Sequence, residues 1–215
     1  MYVKLNSVHS ENAILEGRPA GRYHKVAAHR GAGYRLASLW TRSEEAGDAD
    51  RIMELMQGID QDIEAIRIRA DSAGRAVLRV EHRTFGRMPL EAMGDGFAKA
   101  LSIATHIASM DKGSCLFFDE FEVSLHVGVL RKLVRFTLEA ARRHNVQIFA
   151  TTHSLETVDA FVDLAATPGD LWGGPKEFRL INLHGTAPNT KIKNIDGSEA
   201  KELREELALD LRRTA

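Results

Sequence analysis

The sequence holds a single cysteine, Cys115. It cannot form an internal disulfide, so the fold must rest on its core, and a reducing, cytoplasmic setting is the natural one. No apolar run comes near the ~20 residues of a membrane-spanning helix, and no secretion-signal core stands at the start. The expectation is a cytoplasmic chain without membrane contact. An excess of charge is missing as well. Lys and Arg number 29 against 30 Asp and Glu, a net charge of -1. That balance argues against a protein that coats polyanions, and it leaves nucleic acid possible but unsupported as a partner. None of the 17 glycines precedes a lysine, so the phosphate-binding loop G-x-x-x-x-G-K-[ST] does not occur. Repeats and low-complexity tracts are also absent. What is present is ordinary: 215 residues, 44% hydrophobic and 27% charged, enough for a core in about one elaborated domain.

Periodicity divides the chain. The first 33 residues show only short apolar pieces, Val3 and Leu5, then Ala13 to Leu15, broken by glycines, and read as two short strands or loops. Helical stripes follow over 35–57 (Leu36, Leu39, Trp40, then Ile52, Leu55, Met56), with a break at Gly47-Asp48. From 63 to 84 the period falls to two around Asp71-Ser72-Ala73-Gly74, which predicts a β-hairpin with one wet face. After Pro89, helical spacing alternates with apolar runs, Ser114–Phe118 and Val146–Ala150, and that alternation predicts a parallel sheet covered by helices. A strand over 178–183, another near 192–195 and a helix from Ser198 to about Leu211 close the chain. The division expected is 1–88 and 89–215, within one structural unit.

Three short stretches carry chemistry. The run Cys115-Leu116-Phe117-Phe118 ends in Asp119-Glu120. Adjacent carboxylates at a buried strand end are costly unless neutralised, and a hydrated Mg²⁺ suits one of them. The second could activate a water against phosphorus. Alternatively, both acids simply begin a solvated loop. Met93-Gly94-Asp95-Gly96-Phe97 sits where a loop enters a helix, so its backbone amides can approach an anion, or it is only a turn. His153, after Val146–Ala150 and Thr151-Thr152, is either a hydrogen-bond donor to a phosphate oxygen or an ordinary rim residue. His126 carries the same two readings, and no histidine shows metal-ligand spacing.

Order and spacing unite them: 25 residues separate Gly94 from Asp119, and 33 separate Glu120 from His153. This set resembles the C-terminal half of the ABC-type ATPase core, in particular the RecF/SMC-like and OLD-like group of AAA-family ATPases. The resemblance is strongest over 89–160. It implies a P-loop NTPase core lobe, a parallel sheet flanked by helices with an N-terminal hairpin and helical segment, and Mg-ATP hydrolysis at a dimer interface. In its terms Gly94, Asp95, Gly96 and Phe97 form the signature loop that caps the γ-phosphate of ATP held by a partner. Asp119 assists Mg²⁺, Glu120 is the catalytic base and His153 senses the γ-phosphate. Ser124 and His126 fall in the D-loop along the interface.

Two departures qualify the resemblance. Asp95 stands where serine is more usual and would repel a phosphate unless it points away. The missing Gly-Lys removes the lysine and amides that cradle β- and γ-phosphates, along with the strand and helix that carry them. The chain is therefore expected to begin after the nucleotide lobe. It would then work as an incomplete ATPase core, as a homodimer or beside a P-loop-bearing subunit, or serve only as an interaction partner for such a subunit. A sheet lacking that strand is also expected to favour dimerisation.

Overall fold

The computed structural model describes residues 2–5, 33–166, 174–184 and 191–205. The reading of 6–32 and the end of the last predicted helix lie outside the described residues. Two compact units form: segments 1–25, 111–122 and 137–215 make the first, and 26–110 with 123–136 make the second. In chain order the strands are β1 (Tyr2–Leu5), β2 (Ile63–Ala70), β3 (Ala76–His82), β4 (Gly86–Pro89), β5 (Cys115–Phe118), β6 (Gln147–Thr151), β7 (Phe178–His184) and β8 (Lys191–Asp196). The helices are α1 (Gly33–Glu45), α2 (Ala49–Ile59), α3 (Asp95–Ala108), α4 (Val127–Arg143), α5 (Leu155–Ala166) and α6 (Gly197–Glu205).

The first unit is a five-stranded sheet ordered β5-β6-β1-β7-β8. Strands β5 and β6 pair in parallel, Cys115 opposite Gln147 and Phe118 opposite Ala150. Strand β1 enters between β6 and β7 antiparallel to both, so the sheet is mixed with a parallel pair at one side. One face of β5 and β6 is fully buried through Leu116, Phe118, Ile148 and Ala150, while Phe117 and Phe149 on the other face stack on each other and are half-buried. Beneath them Phe118, Phe121, Phe161 and Phe178 form a chain of rings 5.3–6.3 Å apart. Helix α5 joins that core through Val158, Phe161, Val162 and Ala165. It starts at a capping serine, Ser154, whose Oγ accepts the Thr157 N–H at 3.1 Å.

Helix α6 starts on Asp196, which accepts the N–H groups of Ser198 at 2.9 Å and Glu199 at 3.0 Å. The Glu199 N–H, with Ser198 and Arg179 adding to it, holds the Asp196 carboxyl below its ordinary value. A depressed carboxyl contributes stability above its unfolded pKa of about 4, and that stability is lost as pH falls through the folded value. Asp196→Ala is therefore expected to cost about 1 kcal/mol at neutral pH, the usual size of a lost helix cap, and less in acid. Urea melts at pH 7 and pH 3 check this.

The second unit packs α1, α2, α3 and residues 127–136 of α4 with an antiparallel sheet ordered β2-β3-β4. Helices α1 and α2 part at Gly47, whose φ of +76° suits glycine. The β2–β3 turn is held by Asp71, which accepts the N–H groups of Ala73 (2.8 Å) and Arg75 (2.9 Å). Alternation turns Ile66, Leu78 and Val80 inward, and a register shift between Ile63 and Ala65 brings Ile63 to the same side, against a core that includes Trp40, Ile52, Met56 and Leu101. Strand β4 and helix α5 are additions to the elements predicted from sequence.

Candidate functional site

In the first unit the carboxyl ends of β5 and β6 lie side by side, and one hydroxyl organises the acid pair. Thr151 Oγ1, at the end of β6, donates to Asp119 Oδ1 at 2.6 Å and accepts the Glu120 backbone N–H at 2.8 Å. Glu120 occupies the left-handed region at φ +50°, unusual for a side chain of its size. Such a conformation costs of order 1 kcal/mol and survives only where neighbours hold it. Thr151 and the Phe121 N–H, which donates to the Thr151 carbonyl at 3.0 Å, are those neighbours. Asp119 is half-buried and Glu120 is exposed, so one carboxylate is anchored while the other meets solvent. His153 follows in an irregular stretch, with an exposed side chain and its backbone N–H donated to Glu122 Oε1 at 3.0 Å. The structure thus gathers Asp119, Glu120 and His153 at one sheet end.

Thr151→Val removes a donor and an acceptor together. Its expected cost is about 1–3 kcal/mol, the range for stranding a partly buried polar partner, and Thr151→Ser should recover most of it. Denaturant titration of the two variants measures the difference.

In the second unit Gly94 and Gly96 open α3. Gly94 has φ +87°, a left-handed value, and precedes the helix as its cap residue. Gly96 lies against the loop at Ser124, and a β-carbon there would collide with the Ser124 carbonyl oxygen. Ser124 is itself left-handed at φ +67°. Phe97 is buried, so only its backbone can face a ligand. Asp95 is exposed at the first residue of α3, where a carboxylate complements the helix dipole. His126 caps α4: its carbonyl accepts the Val129 and Leu130 N–H groups, and its Nδ1 accepts the Gly128 N–H at 3.2 Å. Accepting at Nδ1 places the proton of a neutral ring on Nε2. Met93, Gly96, Phe97, Ser124, His126 and Lys132 line one cleft of about 800 Å³. Helix-start amides beside such a cleft can bind an anion.

Donor chemistry separates the groups that fit from the one that does not. Asp119 offers the hard oxygen that Mg²⁺ prefers, and the start of α3 offers amides to a phosphate. Nothing in the sequence supplies the Gly-Lys cradle for β- and γ-phosphates.

Sequence reading passed over two polar residues here, Thr151 and Glu122. Their signal is their spacing after the acid pair and before His153, which only the parallel register of β5 and β6 turns into contact. The structure also collects Asp60, Asp62 and His82, which sequence spacing did not connect. His82 Nδ1 accepts the Thr84 N–H at 3.1 Å, and Nε2 lies 3.2 Å from Asp60 Oδ2. Asp62 accepts from Arg83 and Thr84, both at 3.1 Å. These bonds tie the β3–β4 turn to the end of α2 and account for the cluster. On the hairpin's wet face Arg67 and Arg69 flank Glu81, both at 3.6 Å, and Arg83 pairs with Asp62 and Glu64. Arg79, opposite Arg67, and Arg87, opposite Glu81, share that face, so arginines outnumber acids on it. Among the described residues no helix is long and apolar enough to cross a membrane.

The mixed α/β fold, with its parallel strand pair and flanking helices, resembles an ABC-type, P-loop NTPase core. The chain belongs to the family described as "AAA domain, putative AbiEii toxin, Type IV TA system", matched over residues 6–159. It is similar to the uncharacterized protein MJECL11 of Methanocaldococcus jannaschii, 35% identical over 121 residues, which are 56% of this chain and 99% of that one. Among solved structures, an SMC head bound to the C-terminal winged-helix domain of ScpA shares the fold at TM-score 0.50 and 13% identity, over 80% of this chain and 56% of that chain. An SMC ATPase studied for ATP-driven dimerization and DNA-stimulated activation aligns at TM-score 0.47 and 12% identity, over 73% of this chain and 88% of that chain. The family is thus ATPase-like, and this chain also contains an antiparallel hairpin.

Proposed function

We propose that this chain supplies the hydrolytic and signature elements of an ABC-type ATPase that works at a composite interface, as a homodimer or beside a P-loop-bearing subunit. The observation that carries this reading is the single Thr151 hydroxyl that fixes both the Asp119 side chain and the backbone of a strained Glu120. Asp119 would hold Mg²⁺, which when bound neutralises charge on phosphate oxygens. Glu120, exposed at the strand end, takes the proton of the attacking water. His153 donates an imidazole N–H to the terminal phosphate. The amides at Gly94 to Phe97 meet the phosphate of ATP held by the other subunit, and Ser124 and His126 lie along the shared surface. Because the sequence has no Gly-Lys, the β/γ-phosphate cradle comes from a P-loop-bearing subunit, which a homodimer of this chain would also have to recruit. We take the toxin–antitoxin part of the family description as the setting in which to seek it.

A second, non-catalytic reading also rests on the missing Gly-Lys: the chain presents its signature face to a P-loop-bearing partner without turning ATP over itself. ATP binding and turnover, measured for the purified chain and for the assembly purified through it, separate the two. Turnover in the assembly supports the first reading. Assembly without turnover supports the second.

A further inference from the structure

Glu122 has no part in the chemistry above, yet it sits within it. Its Oε1 accepts the backbone N–H of His153 at 3.0 Å, a bond across 31 residues between the turn after β5 and the end of β6. Its Oε2 is buried and has no hydrogen-bond partner among the described residues. A buried carboxylate oxygen left unsatisfied destabilises the fold, so the acid is poorly explained by stability alone. Its one satisfied bond goes to the residue whose ring the proposed mechanism uses.

We propose that Glu122 is a positioning residue that clasps the His153 main chain and so aims the imidazole at the strand end where Asp119 and Glu120 stand. The assignment rests on the ATPase reading for its purpose, and on geometry alone for the clasp. Thr151 fixes the acids from the β6 side; Glu122 fixes the histidine from the β5 side. An acceptor oxygen is all the clasp needs, so glutamine can serve and an apolar side chain of similar size cannot.

The test compares the full chain with Glu122→Gln and Glu122→Leu by amide hydrogen exchange under native conditions. In Glu122→Leu the His153 amide should exchange roughly 10-fold faster or more, while Ile148 and Ala150 on β6 keep their protection, which reports a local opening and not unfolding. In Glu122→Gln the His153 amide should stay within about 3-fold of the parent. Where the assembly turns ATP over, Glu122→Leu should lower kcat about 10-fold with KM nearly unchanged, and Glu122→Gln should restore it. Equal exchange at His153 in the parent and Glu122→Leu overturns the proposal. So does faster exchange in Glu122→Gln, which also serves should Glu122→Leu fail to fold. His153 protection in the parent that is lost in Glu122→Leu, in an assembly that shows no turnover, leaves the clasp standing and defeats the ATPase reading instead.

Discussion

Glu120→Gln is expected to reduce ATP turnover by the assembly containing this chain at least ~100-fold, the scale on which general-base catalysis contributes. The amide keeps the size and the backbone of Glu120, including the φ of +50° and the N–H bond to Thr151 Oγ1, because neither depends on the carboxylate. Folding and nucleotide binding should therefore survive, and the loss should fall on kcat, with KM within a few-fold. Steady-state phosphate release against ATP concentration reads both. A matched loss of ATP binding would mean that Glu120 holds nucleotide and is not the base.

Gly96→Ala should give the largest structural effect of any single-methyl change in the second unit. The added β-carbon meets the Ser124 carbonyl, a backbone atom that cannot swing aside as a flexible side chain would. Overpacking of this kind costs about 1–3 kcal/mol, or a fall in Tm of roughly 2–10 °C. The α3 start and the loop at Ser124 have to part, so under the proposed mechanism turnover should fall with stability. Gly94→Ala is the control. Nothing lies within 4 Å of a β-carbon there, and only the φ of +87° resists it, at about 1–2 kcal/mol. Thermal melts of the two variants separate steric from dihedral cost.

Much of the site was readable because its signals are local. Leu116 and Phe118 announce a buried strand, and the acids that follow must sit at its end. Leu36, Trp40, Ile52 and Met56 keep helical spacing on either side of Gly47, and α1 and α2 fall where that spacing put them. Non-local features were not readable. Strand β1 is four residues long and pairs with strands about 145 and 176 positions away, in an antiparallel sense that no local pattern encodes. Strand β4, Gly-Arg-Met-Pro, has no alternation to show. Helix α5 did carry a readable pattern, Val158, Phe161, Val162 and Ala165 behind a capping Ser154, yet it was left out of the elements expected from sequence. Thr151 and Glu122 became visible only once β5 and β6 were in register, since each acts across 31 residues or more.

The same register supports the proposal that the acid pair is more than a loop start. A solvated turn needs no left-handed glutamate held by a threonine hydroxyl, whereas a base aimed at a water does need a fixed backbone. Asp95, the residue least suited to a phosphate, has a sufficient structural reason at the first turn of α3, and it leaves the amides there available.

The composite site is tested most directly by the mass, from light scattering, of the assembly purified through this chain in its Glu120→Gln form, with Mg-ATP and with Mg-ADP. The account predicts a larger particle with ATP, in which the signature loop of one subunit closes on nucleotide held by the other, and its separation with ADP. A mass that is the same with both nucleotides would contradict it.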